Sequence, residues 1–359
     1  MYSLRFRTVS KSLYLSLAVL LTLFLLVSLH PSQEIHAQEK KQSKLVVYTY
    51  DSFVSYGMGP ALEEKFEEKY DLDLQFVATG DSRQMLSRLK RELRNDETQA
   101  DVFVGVERND APLATREDIF LPLTEEDIPT LSSVPRRLLF DPELRLVPYE
   151  FGYITLVYNE DMMDASEVPT TFEELTEPRY KDSLILEDPR TSSPGYSFLL
   201  WTIAEYGEDY LDYWKRLLPS VLTISGGWSE AYKTFLNGEA PLVVSFSTDT
   251  AYSVIAEGDA NQKVLLLNNE GYSNIYAAGI VKKSDKRDWG KKFLNLLLSP
   301  EVQEEIPTTE WMFPANRNAR LPIKFYQYAV KPPAAAEVPL SEIEQNGDRW
   351  LREWSKAIR

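Results

Sequence analysis

Between Ser225 and Ser253 the sequence reads Ser-Gly-Gly-Trp-Ser-Glu-Ala-Tyr, then an amphipathic run, an apolar run and Ser-Thr-Asp-Thr-Ala-Tyr-Ser. Hydroxyls, aromatic rings and the Asp249 carboxylate therefore gather at two expected helix starts. A helix start presents unpaired N–H groups and partial positive charge, which suit an anion. The rings of Trp228 and Tyr252 suit a flat or cationic group. The stretch is expected to form half of a small-molecule clamp. Two further loops, Gly80-Asp81-Ser82 and Ser192-Ser193-Pro194-Gly195, share the composition and also precede helices. Singly, each reads as ordinary helix capping; only convergence of all three would make an anion cradle. Tyr50, Tyr56, Tyr272 and Trp311 complete the aromatic set, with core packing an equal reading for Trp228 and Tyr272. Asp81 and Asp249 are the carboxylates expected to meet an amino or cationic group, although an N-cap role competes for Asp249.

What is missing narrows the chemistry. The chain of 359 residues has no cysteine, and its two histidines, His30 and His36, lie in a segment expected to be removed. A mature chain without either residue runs no cysteine or Ser-His-Asp mechanism and builds no His/Cys zinc site. No metal and no cofactor are expected, no loop has EF-hand spacing, and a carboxylate-only mechanism stays open. Arg5, Arg7 and Lys11 precede an apolar run from Leu13 to Leu29, followed by Ile35-His36-Ala37. This has the form of a signal peptide over residues 1–37; a run of 17 residues near the lower limit for spanning makes a retained anchor the rival reading. Its removal leaves 36 Lys and Arg against 54 Asp and Glu. Such acidity disfavours nucleic acid and anionic membranes as partners. The basic cluster Arg83, Arg88, Lys90, Arg91 and Arg94 interleaves with Leu86, Leu89 and Leu93, the pattern of a solvated helix face.

These residues need elements to hold them. Lys44–Thr49, Leu72–Val77 and Asp101–Gly105 read as strands separated by helices beginning near Pro60 and Ser82. The order βαβαβ implies a parallel sheet with right-handed crossovers, whose ligands sit beyond the strands' C-terminal ends. Tyr149–Tyr158 is expected as a long strand crossing into a second domain, and Val243–Ser247 as the strand that returns. Asp188 and Arg190 are expected to form a structural ion pair around Pro189.

Four motifs then carry a resemblance: Tyr48-Thr49-Tyr50-Asp51-Ser52-Phe53, Asp188-Pro189-Arg190-Thr191-Ser192-Ser193-Pro194-Gly195, Gly227-Trp228-Ser229-Glu230-Ala231-Tyr232 and Ile306-Pro307-Thr308-Thr309-Glu310-Trp311-Met312-Phe313-Pro314. In this order they resemble the periplasmic thiamine-binding proteins of bacterial ABC transporters, within the wider extracellular solute-binding proteins. The resemblance implies an α/β fold of the two-lobed periplasmic-binding-protein kind (type II), each lobe a mainly parallel sheet flanked by helices, with crossing hinge strands. Lobe 1 would comprise 44–148 plus 249–315, and lobe 2 149–248 plus 316–359. It further implies a periplasmic monomer, not an enzyme, that closes on thiamine or a thiamine phosphate and delivers it to an inner-membrane permease. By motif position Tyr50 and Tyr252 would flank the ligand, Trp311 would be another wall, and Asp81, Ser82, Ser192 and Trp228 would lie near its hydroxyethyl or phosphate tail. The chain departs from the family at Phe246, where a Tyr is usual, and at Tyr56, where a Trp is common; both bear on ligand preference. Rival readings are a binder of a polyamine, a phosphonate or ferric iron, and a carboxylate-dependent enzyme on the same scaffold. Adjacent tyrosines, usual at ferric sites of that relative, do not occur here.

Overall fold

Strand β1 (Lys44–Thr49) is made almost wholly of β-formers and is buried from Leu45 onward. It can be apolar on both faces because it lies between parallel neighbours, β2 (Asp73–Ala78) and β3 (Val102–Glu107), with Lys44 opposite Asp73 and Val47 opposite Val102. Parallel neighbours require crossovers, supplied by helices Met58–Lys69 and Ser82–Asn95. The first lays Leu62 and Phe66 on one face of the sheet; the second lays Met85, Leu86 and Leu89 on the other. Arg88 and Lys90 stay outward in ion pairs with Glu92 and Glu117, as a solvated face requires, but Arg83 turns inward, paired with buried Asp110 at 2.9 Å and lying over the Tyr196 ring. The computed structural model describes residues 44–358, and the expected signal peptide lies outside them.

A second core is built the same way from β5 (Leu184–Glu187), β6 (Val221–Ser225) and β7 (Leu242–Phe246), which run parallel. Helix Ser193–Tyr206 covers one face through Phe198, Leu199 and Trp201. Helix Trp228–Leu236 covers the other through Ala231, Tyr232 and Phe235. Helix Leu340–Ala357 closes this core with Trp350 and Trp354.

Two long antiparallel strands join the cores. β4 (Val147–Asn159) places Val147, Tyr149 and Phe151 in the first core and Ile154, Leu156 and Tyr158 in the second. β9 (Glu270–Ile280) pairs with it from Ala278 opposite Val147 to Tyr272 opposite Ile154. The sheet is continuous in the order β2-β1-β3-β9-β4-β7-β5-β6. Short strands β8 (Gln262–Leu265) and β10 (Phe313–Pro314) pair with β4, and β11 (Ala334–Ala336) pairs with β9. The crossing strand thus lies where the sequence placed it, but the return strand is β9. The Val243–Ser247 segment stays in the second core because β7 is held between β4 and β5. The cores also divide the chain differently from the expected limits. Leu265, Leu267 and Tyr272 pack in the second core and Phe325 in the first, since β9 begins in one core and ends in the other.

Candidate functional site

The C-terminal ends of β1, β2, β5, β6 and β7 all face the gap between the cores, where their loops line a cavity of about 260 Å³. Eight rings line it: Tyr50, Tyr56, Trp228, Tyr232, Phe246, Tyr252, Tyr276 and Trp311. Four of them run as a chain of near contacts. Trp228 and Tyr56 are 6.0 Å apart by centroid, Tyr56 and Tyr252 6.0 Å, and Tyr252 and Trp311 5.1 Å. Trp228 also stacks on Tyr232 at 4.8 Å and donates its indole N–H to Ser245 Oγ at 2.9 Å, which fixes its plane. Trp311 follows helix Ile306–Thr309 at φ 55°, with its backbone N–H bonded to the Ile306 carbonyl at 3.0 Å. That left-handed post-helix position normally favours glycine.

Six carboxylates line the same cavity: Asp51, Asp81, Glu150, Glu230, Asp249 and Glu310. Among the described residues no lysine, arginine or histidine lines it. Burial pushes the Asp249 pKa up to about 7, against hydrogen bonds from Ser245 and the Phe246 backbone. The expected capping alternative for Asp249 does not hold: it is the first residue of helix Asp249–Tyr252, the N-cap is Thr248, and no side-chain cap bond forms. Its Oδ2 is buried without a partner.

Glu150 and Glu310 meet around the Tyr50 hydroxyl. Tyr50 Oη lies 2.7 Å from Glu310 Oε2, 3.2 Å from Glu150 Oε1 and 3.0 Å from Tyr149 Oη. One hydroxyl carries one proton and cannot donate to both carboxyls. A proton on one of them completes the set, and Glu150, only 1% exposed, is the carboxyl held neutral more strongly. Burial, and then the nearby Glu310, hold its pKa well above the usual carboxylate range. Burial lifts Glu310 to about 8, against the Tyr50 hydrogen bond. The cluster fits because Gly105 sits at φ 107° in the bulge of β3 against β9; a Cβ there would lie 2.5 Å from the Tyr50 ring.

On the opposite wall the three hydroxyl-rich loops do converge. Their common point is the Asp81 carboxylate, which accepts from the N–H groups of Ser82 at 2.6 Å, Trp228 at 3.2 Å and Ser193 at 3.4 Å. Burial raises the Asp81 pKa, and these bonds with that of Ser192 oppose the rise. Ser229 Oγ donates to Asp51 Oδ1 at 2.9 Å across the same gap.

Of the residues singled out from sequence, Tyr50, Tyr56, Asp81, Trp228, Phe246, Asp249, Tyr252 and Trp311 line the cavity. Ser82 and Ser192 do not. Ser82 Oγ is spent on Ser193 Oγ at 2.5 Å, and Ser192 Oγ caps its helix by accepting from the Gly195 N–H. Tyr272 is wholly buried in the second core. Asp188 and Arg190 form the expected ion pair. Sequence reasoning missed Glu150, Tyr276 and Glu310. A single carboxylate inside the apolar run Tyr149–Tyr158 was the available signal for Glu150.

A family model described as a bacterial extracellular solute-binding protein matches residues 97–346. The chain is 36% identical to a thiamine-binding periplasmic protein of Brucella melitensis over 338 residues, covering 94% of this chain and 96% of that one. It is 33% identical to a thiamine-binding periplasmic protein of Escherichia coli over 315 residues, 88% and 93% of the two chains. A solved periplasmic thiamin binding protein superposes with a TM-score of 0.79 at 32% identity, covering 88% of this chain and 96% of that one. A ferric binding protein from Campylobacter jejuni, at 20% identity and TM-score 0.72, shares the fold.

Proposed function

The chain belongs to the bacterial extracellular solute-binding proteins, and we propose that it captures thiamine in the cavity between its two cores and hands it to an ABC-transporter permease. The observation that carries this reading is the lining: six carboxylates and eight rings, with no basic residue among those described. Thiamine has two flat aromatic rings joined by a methylene bridge, and one of them carries a fixed positive charge. An aromatic wall contributes about 0.5–2 kcal/mol per cation–π contact, and buried carboxylates supply the countercharge. The lining disfavours a phosphonate, which would need basic partners. A polyamine would use the carboxylates but leave most of the rings without a flat partner.

Capture then follows from the two-core arrangement. Asp51 and Asp81 on one side bond Ser229, Ser193 and Trp228 on the other, so closing the gap completes the walls around a ligand. A ligand touching both walls favours the closed state by its differential affinity. We take the site to bind without turnover, in a periplasmic monomer, with thiamine phosphates as weaker ligands because their anionic tail would meet Asp81 and no basic partner among the described residues. Calorimetry on ligand-stripped protein tests this directly. Saturable heat with thiamine, and unchanged thiamine recovered after prolonged incubation, are expected; absence of heat would refute the assignment.

A further inference from the structure

Glu310 follows helix Ile306–Thr309, immediately before Trp311, and lines the cavity. Its Oε2 is engaged by the Tyr50 hydroxyl, whereas Oε1 is buried with no protein partner. Leaving a buried carboxylate oxygen unsatisfied is costly, and such groups mark places where a ligand completes the bonding. Nothing basic in the lining answers it among the described residues. Two other lining carboxylates also keep a free oxygen: Glu150 Oε2, in the same hydroxyl network as Glu310, and Asp249 Oδ2, which has different surroundings. Asp249 begins the helix that carries Tyr252 and lies close enough to Tyr56 to raise its pKa. It is therefore set among rings, where a fixed cation without N–H groups gains from charge and π faces together. Glu310 is set among hydroxyls, in the network of Tyr50, Tyr149 and Glu150, where directional hydrogen bonding rather than bare charge is satisfied.

Resting on the thiamine reading, we propose that these two carboxylates divide the ligand. Asp249 is the counter-ion of the thiazolium, and Glu310 is the specificity residue that accepts an N–H from the exocyclic amino group of the pyrimidine. Tyr50, bonded to the other Glu310 oxygen, holds the carboxylate in place, and neutral Glu150 behind it keeps a second negative charge away. An analogue with a carbonyl in place of the amino group would set lone pair against lone pair at Glu310.

The test is calorimetric titration of the ligand-stripped full chain with thiamine and with oxythiamine, which carries that carbonyl. The wild type is expected to prefer thiamine by about a hundredfold, the cost of leaving a buried polar group without its hydrogen bond. In Glu310→Gln, whose amide can turn an N–H toward the carbonyl, the preference should shrink to about threefold or less. Glu310→Ala, which offers neither partner, should shrink it as well. Asp249→Asn should weaken both ligands by the same factor and leave the ratio as in the wild type. Thiamine binding with a ratio unchanged in both Glu310 variants, or with no preference in the wild type, overturns the proposal alone. Failure of the wild type to bind thiamine overturns the ligand assignment and this proposal with it.

Discussion

The Asp81 carboxylate accepts the Trp228 backbone N–H at 3.2 Å, joining the helix that follows β2 in one core to the helix that follows β6 in the other. The same carboxylate takes the Ser193 N–H, so one side chain gathers helix N-termini from both sides of the gap. A carboxylate at a helix N-terminus is favoured by the helix dipole, and here it acts as a latch. Asp81→Ala should weaken thiamine binding about tenfold, the value of one or two charge-assisted hydrogen bonds. It should also enlarge the radius of gyration of the ligand-free protein in solution scattering. Unchanged affinity together with an unchanged radius would remove the latch from the mechanism.

Trp311 occupies a backbone conformation that costs a non-glycine residue of order 1–3 kcal/mol, with its ring in the cavity 5.1 Å from Tyr252. A local rule broken at a cavity wall points to a side chain kept for what it touches. Trp311→Ala should weaken thiamine binding by about 1 kcal/mol or more through lost stacking, and Trp311→Phe by less. Calorimetry of the three proteins gives the order, and equal affinities would take the ring out of the site.

How much of this was legible before the structure differs by kind of residue. Tyr50, Asp81, Trp228 and Asp249 announced themselves because each stands where a strand ends or a helix begins, and such places are marked by local turn and cap chemistry. Ser82 and Ser192 carry the same marks, yet their hydroxyls are consumed in securing the loops, and spacing alone does not reveal which way a hydroxyl turns. Glu150 and Tyr276 sit on β4 and β9, and their place in the wall depends on the pairing of those strands, a contact made far apart in sequence. Periodicity tells which face a residue takes but not which strand lies beside it. For the same reason the sequence placed the crossing strand and missed its return.

Affinity should depend on pH in a way that the lining dictates. Burial holds Asp249 near 7 and Glu310 near 8, so in the empty cavity each gains its charge only as the pH passes its own value. A bound cation favours the ionised forms, and binding therefore releases protons over this range. The dissociation constant for thiamine should fall by about tenfold between pH 6 and pH 8 through Asp249 alone, and further through Glu310. Asp249→Asn should lessen that dependence and leave the part due to Glu310. Titrations in buffers of different ionisation enthalpy would count the released protons, and an affinity independent of pH would contradict the assignment of these carboxylates.

Stability of the ligand-free protein should move the other way. Asp249 has its pKa raised from an ordinary 3.8 to about 7 in the folded state, so the native chain keeps a proton that the unfolded chain gives up between those values. The stabilisation linked to that proton is complete below the unfolded value and disappears as pH rises through the folded one, a loss of up to about 4 kcal/mol for a shift of this size. Glu310 shifts in the same direction, also chiefly through burial, and adds to the trend. The melting temperature of ligand-free protein should accordingly fall from pH 5 to pH 8. Saturating thiamine, by placing positive charge beside both carboxylates, should make the fall shallower. Asp249→Asn, which has no proton to lose, should melt higher than the wild type at pH 8 when both are empty. Thermal scans at matched ionic strength would decide it, because a wild type that gains stability across this interval cannot hold these carboxyls neutral in the folded state.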